Sequence, residues 1–439
     1  MAAPTYSAPA GWNAPSPSGR LSAVVELPGS KSLTNRELVL SALAHAPSTL
    51  RRPLAARDTD LMVEALGRLG TRIRRDDDGT LHIEPGPLTG GVDIDCGLAG
   101  TLMRFLPPVA LLADGPVRFD GDERARARPL ATTILSLRAL GAEVDDGGRG
   151  TLPFTVTPGD VRGGRVVIDA SASSQFVSGL LLVGARLHDG IEVEHRGERL
   201  PSMPHIAMTI DALARRHVRV ETASAGPPAA LWRVEAQRIR GRDVDIEPDL
   251  SNAAPFLAAA LVAGGTVTVP GWPEETTQVG NRLRDWLAAF GAGVSLEQGA
   301  LTVDGGAGVR VAPLAPVDLD LSEGGELAPT LVGLAVFADG RSTFTGIGHL
   351  RGHETDRLAA LATELTAVGA CVEETEDGLI VEPGPLAAPG RPWRAYEDHR
   401  MATTGALVGL GVDGVVVDDI ATTAKTLPGF ADLWRRMLG

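Results

Sequence analysis

Gly29-Ser30-Lys31-Ser32, Gly97-Leu98-Ala99-Gly100-Thr101, Ser171-Ala172-Ser173-Ser174-Gln175, Asp249-Leu250-Ser251-Asn252, Ser322-Glu323-Gly324-Gly325-Glu326 and Glu397-Asp398-His399-Arg400 are six polar turns of one kind. Each follows a short β-like run and opens an apolar, helix-like run. Five of the apolar runs stop at a glycine: Gly115, Gly190, Gly265, Gly340 and Gly414, at intervals of 75, 75, 75 and 74 residues. The first run ends instead near Ala46-Pro47. A second echo agrees, since Glu-Pro-Gly-Pro-Leu stands at Glu84–Leu88 and again at Glu382–Leu386, 298 residues or about four periods apart. A fixed period of this length marks an internal repeat, here six-fold.

Within a repeat, a second helix ends in a corner at Leu69-Gly70, Leu140-Gly141, Phe290-Gly291 or Val368-Gly369. Hairpin-like strand pairs follow three of these, as at Val372–Glu374 and Leu379–Val381 around Asp377-Gly378. The third copy, near Arg215–Val220, lacks the glycine corner, and the sixth is cut short by the C-terminus. The unit therefore reads strand, helix, strand or loop, helix, strand, strand, an α/β class. Repetition alone leaves open one closed array or two lobes of three. The polar stretch Arg238–Asp243 is a plausible hinge.

Composition narrows the function classes. Net charge is −14 from 41 basic and 55 acidic residues, which argues against a nonspecific nucleic-acid binder, so an anionic ligand would have to be met by local positive charge. Two cysteines, Cys96 and Cys371, form neither a disulfide framework nor a zinc pattern, and both read as small buried side chains. Apolar runs are too short to span a bilayer uninterrupted. Residues 1–20, rich in Pro, Ala and Ser, lack signal-peptide order and read as a disordered arm. A cytoplasmic, soluble protein is the expectation.

The repeated turns set the chemistry. A helix start offers unpaired N–H groups and partial positive charge, which suits phosphate or carboxylate, although the same serines and aspartates also serve as ordinary caps. Basic residues gather in these turns. Lys31 and Arg36 flank Ser32 and Asn35 at one helix start, without the Gly-x4-Gly-Lys spacing of a P-loop. Gly100-Thr101 precedes Arg104 by one turn, in a run that Pro107-Pro108 should kink or interrupt. Arg128 lies in a basic loop. In His349-Leu-Arg-Gly-His353-Glu354-Thr-Asp-Arg357, His353 and Arg357 would share a helical face. The His349/His353 spacing invites a metal, but no third ligand completes a pattern and Gly352 interrupts the helix, so no metal is expected. Glu326 stands at a helix start as cap or general base. Many cations beside the carboxylates Glu326 and Glu354 suit transfer chemistry on phosphorylated or carboxylated small molecules.

These residues resemble the 5-enolpyruvylshikimate-3-phosphate synthase family of enolpyruvyl transferases. The resemblance runs from about Leu21 to Leu438 and rests on Leu27-Pro-Gly-Ser-Lys-Ser with Asn35-Arg36, Gly100-Thr101 with Arg104, Ser173-Ser174-Gln175, His353–Arg357 and Asp398-His399-Arg400-Met401. It implies the two-lobed enolpyruvyl transferase fold, an α/β class of six βαβαββ-like repeats, three per lobe, as inside-out α/β barrels. The implied division is an arm over 1–20, an N-terminal lobe over 30–245, and a C-terminal lobe of 21–29 plus 246–439. It also implies transfer of the enolpyruvyl group of phosphoenolpyruvate to the 5-hydroxyl of shikimate 3-phosphate, with no cofactor, in a cytoplasmic monomer that takes neither nucleic acid nor membrane as partner.

The resemblance further implies roles. Lys31, Ser32, Arg36, Ser173, Ser174, Gln175 and Ser202 would hold shikimate 3-phosphate. Lys31, Gly100, Arg128, Arg357, Arg400 and Lys425 would hold phosphoenolpyruvate, with Thr101, Arg104 and His353 completing the binding set. Glu326 would take the 5-hydroxyl proton and Glu354 would protonate the methylene carbon, while Lys31 and Lys425 stabilise phosphate and adduct. Gly100 implies sensitivity to glyphosate. The chain departs from the commonest family pattern at Leu98 (usually Asn), Phe105 (Pro), Glu326 (Asp), His353 (Lys), His349 (Asn) and His205 (Tyr). The sister transferase acting on UDP-N-acetylglucosamine shares the repeat but normally carries a cysteine or aspartate in a mobile loop, and Gly121–Pro129 has no cysteine. A catalytically dead anion-binding repeat protein is the remaining alternative.

Overall fold

The computed structural model describes residues 11–226 and 229–439. Two compact units divide the chain: Pro28–Asp249 with Glu275–Val279, and Met1–Leu27 with Leu250–Glu274 and Gly280–Gly439. The breaks thus fall at 27/28 and 249/250, not in the expected hinge, where Asp243–Asp245 is instead a strand parallel to Thr49–Arg51. Among the described residues no helix is long and apolar enough to cross a membrane.

The repeat period appears as five four-stranded sheets. Among the described residues, three of them pair the strand after the first helix parallel with the strand before it, while in the other two the parallel partner is exchanged: Asp243–Asp245 lies beside Ser48–Arg51, and Leu21–Val24 beside Gly265–Pro270. In all five that strand also pairs antiparallel with the second arm of a hairpin, as Val117–Asp120 does with Phe154–Thr157, itself paired with Glu143–Asp145. The sixth copy is reduced to Val416–Val417, which pairs with Trp12–Asn13. That pairing corrects part of the disordered-arm expectation, since a two-residue strand lies within 11–20; residues 1–10 lie outside the described residues.

The six quoted turns open six helices. Lys31–Ala42, Gly100–Ala110 and Gln175–Gly184 pack together in one unit; Leu250–Ala263, Ala328–Ala335 and His399–Gly411 pack together in the other. Gln175–Gly184, Leu250–Ala263 and Ala328–Ala335 are buried nearly all round, as their continuous apolar composition requires. The Gly100 helix runs on to Ala110 with Pro107 and Pro108 inside its final turns, so the prolines do not interrupt it. Cys96 is buried, but Cys371 is exposed on a strand, contrary to its sequence reading.

The helix-ending corners share one geometry. Gly70, Gly141, Gly291 and Gly369 have φ between +99° and +107°. The following N–H reaches back to Leu66, Leu137, Leu287 and Leu365 O at 3.0–3.1 Å, the Schellman closure. In the third copy Val218 N–H makes the same bond to Leu213 O at 2.9 Å, and exposed His217 occupies the left-handed position at φ 62°. The glycine was lost while its conformation was kept, and a non-glycine residue there carries steric strain. His217→Gly should therefore stabilise the protein by about 0.5–1 kcal/mol, the strain relieved less the added flexibility of the unfolded chain, read as a higher urea midpoint at unchanged slope.

His195, fully buried at the end of strand Ile191–His195, accepts a hydrogen bond at Nδ1 from Ala170 N–H at 3.1 Å. Burial holds its pKa below the usual value, with Asp169 pulling the other way. A histidine kept neutral in the fold contributes stability above its unfolded pKa, about 6.5, and loses that contribution as pH falls below it toward the folded value. His195→Asn, which keeps an acceptor and does not titrate, should flatten the fall in thermal midpoint below pH 6.5; an unchanged slope would show that this ring does not titrate on unfolding.

Candidate active site

In the unit of Pro28–Asp249, Ser30 caps the Lys31 helix and Asp249 Oδ2 accepts Lys31 N–H at 3.1 Å. The Lys31 ammonium stands 3.4 Å from Asp58, with side-chain exposures of 21% and 2%, so the lysine tip is reachable while its counter-ion is not. Asp58 was not singled out from sequence. It reads there as an ordinary first-turn acid of the helix Arg57–Arg68, and its partner is 27 residues away.

Asn35 Nδ2 donates to Thr101 Oγ1 at 2.7 Å, tying the Lys31 helix to the Gly100 helix. At Gly100 two guanidinium groups close on bare backbone: an added Cβ would lie 3.1 Å from Arg104 Nη1 and 3.3 and 3.4 Å from Arg128 Nη1 and Nη2. Arg104 also donates to Gly100 O at 3.2 Å and lies over the Phe176 ring. Arg128 is buried, and its Nε and Nη1 find no hydrogen-bond partner among the described residues. Buried N–H groups are nearly always satisfied, so a forked donor left unpaired beside a helix start is a ready receptor for an oxyanion.

Arg36 differs from its sequence reading in setting. It is 1% exposed, with Nε donating to Thr209 Oγ1 at 2.7 Å, Nη1 to Ser32 O at 2.9 Å and Nη2 to His205 O at 2.9 Å. Phe105, the departure from proline, supplies the ring beneath this guanidinium at 5.2 Å. Much of the Arg36 fork is thus spent on the protein's own acceptors, bracing three helices. At the third turn Gln175 N–H is capped by Ser173 Oγ at 3.3 Å, Ser174 is buried, and Gln175 Oε1 is buried with no hydrogen-bond partner among the described residues. Ser202 precedes its helix in the left-handed region, φ 54°, a conformation that non-glycine residues adopt where surrounding structure forces it.

In the other unit the carboxylates and cations form one chain of contacts. Glu354 bonds Lys425 Nζ through Oε1 and accepts from Arg357 Nη2 through Oε2 at 3.1 Å. Arg357 continues to Asp398, Nε to Oδ2 at 2.8 Å and Nη2 to Oδ1 at 3.2 Å. Burial works against the Arg357 charge, but Asp398 and Glu354 outweigh it and hold the guanidinium pKa above its ordinary value. Asp398 also caps the helix His399–Gly411, accepting Arg400 N–H at 2.8 Å, and Arg400 Nη1 donates to Ser251 O at 2.7 Å. Ser251 Oγ in turn donates to Glu326 Oε1 at 2.5 Å, while Asn252 Nδ2 donates to Thr426 O at 3.1 Å, beside Lys425. Ser251 and Asn252 belong to a quoted turn but carry no charge, so their sequence gave no reason to select them as site residues.

The expected shared helical face of His353 and Arg357 does not form. The chain is a 3-10 turn over Gly348–Gly352, and the next helix begins only at Arg357, because Gly352 and the Asp356 cap separate the two. His353 Nδ1 nevertheless lies 3.4 Å from Arg357 Nη1. His349 packs on Gly325, where a Cβ would fall 2.8 Å from its Nε2, so the bare residue before Glu326 is required by the ring. The His349 and His353 rings are 5.8 Å apart, and among the described residues no group of three or more His, Cys, Asp or Glu is arranged to hold a metal.

Nearly the whole chain is similar to known proteins of one family. The family model described as EPSP synthase (3-phosphoshikimate 1-carboxyvinyltransferase) matches residues 15–434. A 3-phosphoshikimate 1-carboxyvinyltransferase of Kocuria rhizophila is 51% identical over 98% of this chain and 96% of its own length. In fold, the chain is similar to EPSP synthase from Acinetobacter baumannii, with a TM-score of 0.79 at 23% identity over 97% of each chain. It is also similar to the enolpyruvyl transferase NikO from Streptomyces tendae, with a TM-score of 0.75 at 19% identity over 96% of each chain. Its α/β repeat architecture is therefore that of the enolpyruvyl transferases, and by its near-complete match to the family model and to a half-identical relative the chain belongs to the EPSP synthase family.

Proposed function

We propose that the chain performs its family's reaction, transfer of the enolpyruvyl group of phosphoenolpyruvate to the 5-hydroxyl of shikimate 3-phosphate with release of phosphate, through the two residue groups described above. The observation that carries the assignment of roles is the Lys425–Glu354–Arg357–Asp398 chain with Glu326 held by Ser251. It combines cations able to bind an anionic substrate with two carboxylates able to move protons.

In this reading Lys31, Ser32, Ser173, Ser174, Gln175 and Ser202 hold the phosphorylated ring, with Arg36 bracing the helices that present them. Gly100, Arg128, Arg357, Arg400 and Lys425 take phosphoenolpyruvate. The unpaired N–H groups of Arg128 support this, because a bound carboxylate or phosphate would satisfy them. Arg104, Thr101 and His353 shape the surroundings of these groups.

The reaction proceeds by addition and then elimination. Glu326 accepts the 5-hydroxyl proton as that oxygen attacks C2 of phosphoenolpyruvate, and a proton from Glu354 goes to the methylene carbon, giving a tetrahedral adduct. Collapse of the adduct breaks the C2–O bond to phosphate as a proton passes from C3 back to the Glu354 carboxylate, which forms the C2=C3 double bond of the enol ether. Glu354 is paired with Lys425 and Arg357. Substrate anions that draw those cations away would favour its protonated form, the direction a general acid needs. Glu326 is one methylene longer than the aspartate usual in the family, and the Ser251 hydrogen bond fixes the extra reach.

The first test is phosphate release by the purified protein. Release should require shikimate 3-phosphate and phosphoenolpyruvate together and should yield the enolpyruvyl ether; release only with UDP-N-acetylglucosamine would move the assignment to the sister enzyme. Glu326→Gln keeps the Ser251 contact but cannot accept a proton. It should lower kcat by about 10²–10⁴, the usual worth of a general base, with KM values changed far less; near-normal kcat would remove Glu326 from that role.

A further inference from the structure

The mechanism leaves unused a buried carboxylate, Glu364, in the helix Arg357–Ala367. Its side chain has no exposure. It accepts four hydrogen bonds, all from residues 391–396: Arg391 Nη1 at 2.7 Å and Nη2 at 3.0 Å, Arg394 N–H at 3.2 Å and the Tyr396 hydroxyl at 2.7 Å. A fully buried acid with every lone pair used is a point of high rigidity, since losing a partner strands charge away from water.

What it holds is an unusual piece of backbone. Tyr396 and Glu397 are consecutive non-glycine residues in the left-handed region, at φ 55° and 56°. Such a pair persists only where neighbouring contacts over-determine it. The next residue is Asp398, which caps the Arg400 helix and grips the Arg357 guanidinium. The helix Arg357–Ala367 therefore touches the 391–398 segment at both ends, with Arg357 on Asp398 and Glu364 on Arg391 and Tyr396.

We propose that Glu364, acting through Arg391 and the Tyr396 hydroxyl, is a positioning residue that locks the left-handed Tyr396–Glu397 pair and so sets Asp398, Arg357 and Arg400 for the carboxylate or phosphate of phosphoenolpyruvate. The inference rests on the phosphoenolpyruvate role given to Arg357 and Arg400 above. Burial, then the hydrogen bond to Glu364, push the Tyr396 phenol up to about 12, so it remains a donor throughout the neutral range.

Tyr396→Phe removes only the hydroxyl, and Glu364→Gln keeps the shape of the acid while removing its charge. In the full-length protein both should raise KM for phosphoenolpyruvate on the order of tenfold, the scale on which outer-shell partners act at metal sites. KM for shikimate 3-phosphate should stay within about twofold, because its proposed contacts lie elsewhere in the chain. Tyr396→Phe, the milder change, should do so with a thermal midpoint close to that of the parent protein. If the parent turns over and Tyr396→Phe leaves both KM values unmoved, or moves them equally, the inference fails while the assigned reaction stands. A parent protein without turnover would overturn the assigned reaction and this inference with it.

Discussion

Buried positive charge is the constraint around which the candidate site is organised. Arg357 is 3% exposed, and a guanidinium taken that far from water is tolerable only if carboxylates meet it with good geometry. Asp398, with no exposure, supplies two contacts and Glu354 a third. The same requirement passes outward: Asp398 must be fixed, so it caps a helix; Glu354 must be shared, so it meets Lys425 as well. The result is a lattice of alternating charge in which each group is held by its neighbours, so that the cations are already in place when a substrate anion arrives.

The Pro28–Asp249 unit treats its cations differently. Lys31 has a buried carboxylate partner, Arg36 is bonded to hydroxyl and carbonyl oxygens, and Arg128 keeps two buried nitrogens, Nε and Nη1, without an acceptor among the described residues. Arg216, fully buried, shows what complete satisfaction looks like here: Glu37, Ser41, Ser48 and the Arg240 carbonyl occupy its fork. Arg216 is structural by that measure, Arg36 mainly a brace, and Arg128 the group whose hydrogen-bonding capacity is left for a ligand. Degree of satisfaction thus ranks buried arginines that sequence alone presents as equivalent.

That ranking marks the limit of what could be read from sequence. The six turns were legible because the signal is local: small or capping residues, then an apolar run, at a constant interval. Lys31, Gly100, Gln175, Glu326 and Arg400 came with them, since each stands at or beside one of those helix starts. Asp58 and Glu364 were not legible, because each looks like any helical acid until its partner arrives from a distant stretch of chain. His217 and the pair Tyr396–Glu397 were missed for another reason. Left-handed backbone is signalled by glycine, and these residues adopt it because surrounding hydrogen bonds require it. Cys371 was misread because its apolar neighbours Ala370 and Val372 point to the more buried face of the strand, while Cys371 itself, one step out of phase, points to solvent.

Topology sets a further condition on the site, because sequence order and structural membership disagree at the N-terminus. Leu21–Val24 pairs parallel with Gly265–Thr268, in the unit whose main body begins at Leu250, although Pro28 and Lys31 immediately afterwards belong to the other unit. Gly265 shows how close that pairing is: at φ +85° an added Cβ would lie 2.1 Å from Leu21 O, so only glycine admits the strand. Asp243–Asp245 plays the matching part, completing the sheet of Ser48–Arg51 just before the chain enters the Leu250 helix. The two exchanged strands lead directly into the Lys31 turn and the Ser251 turn. In each unit the strand that completes a sheet is therefore supplied by the stretch of chain just before the first helix of the other.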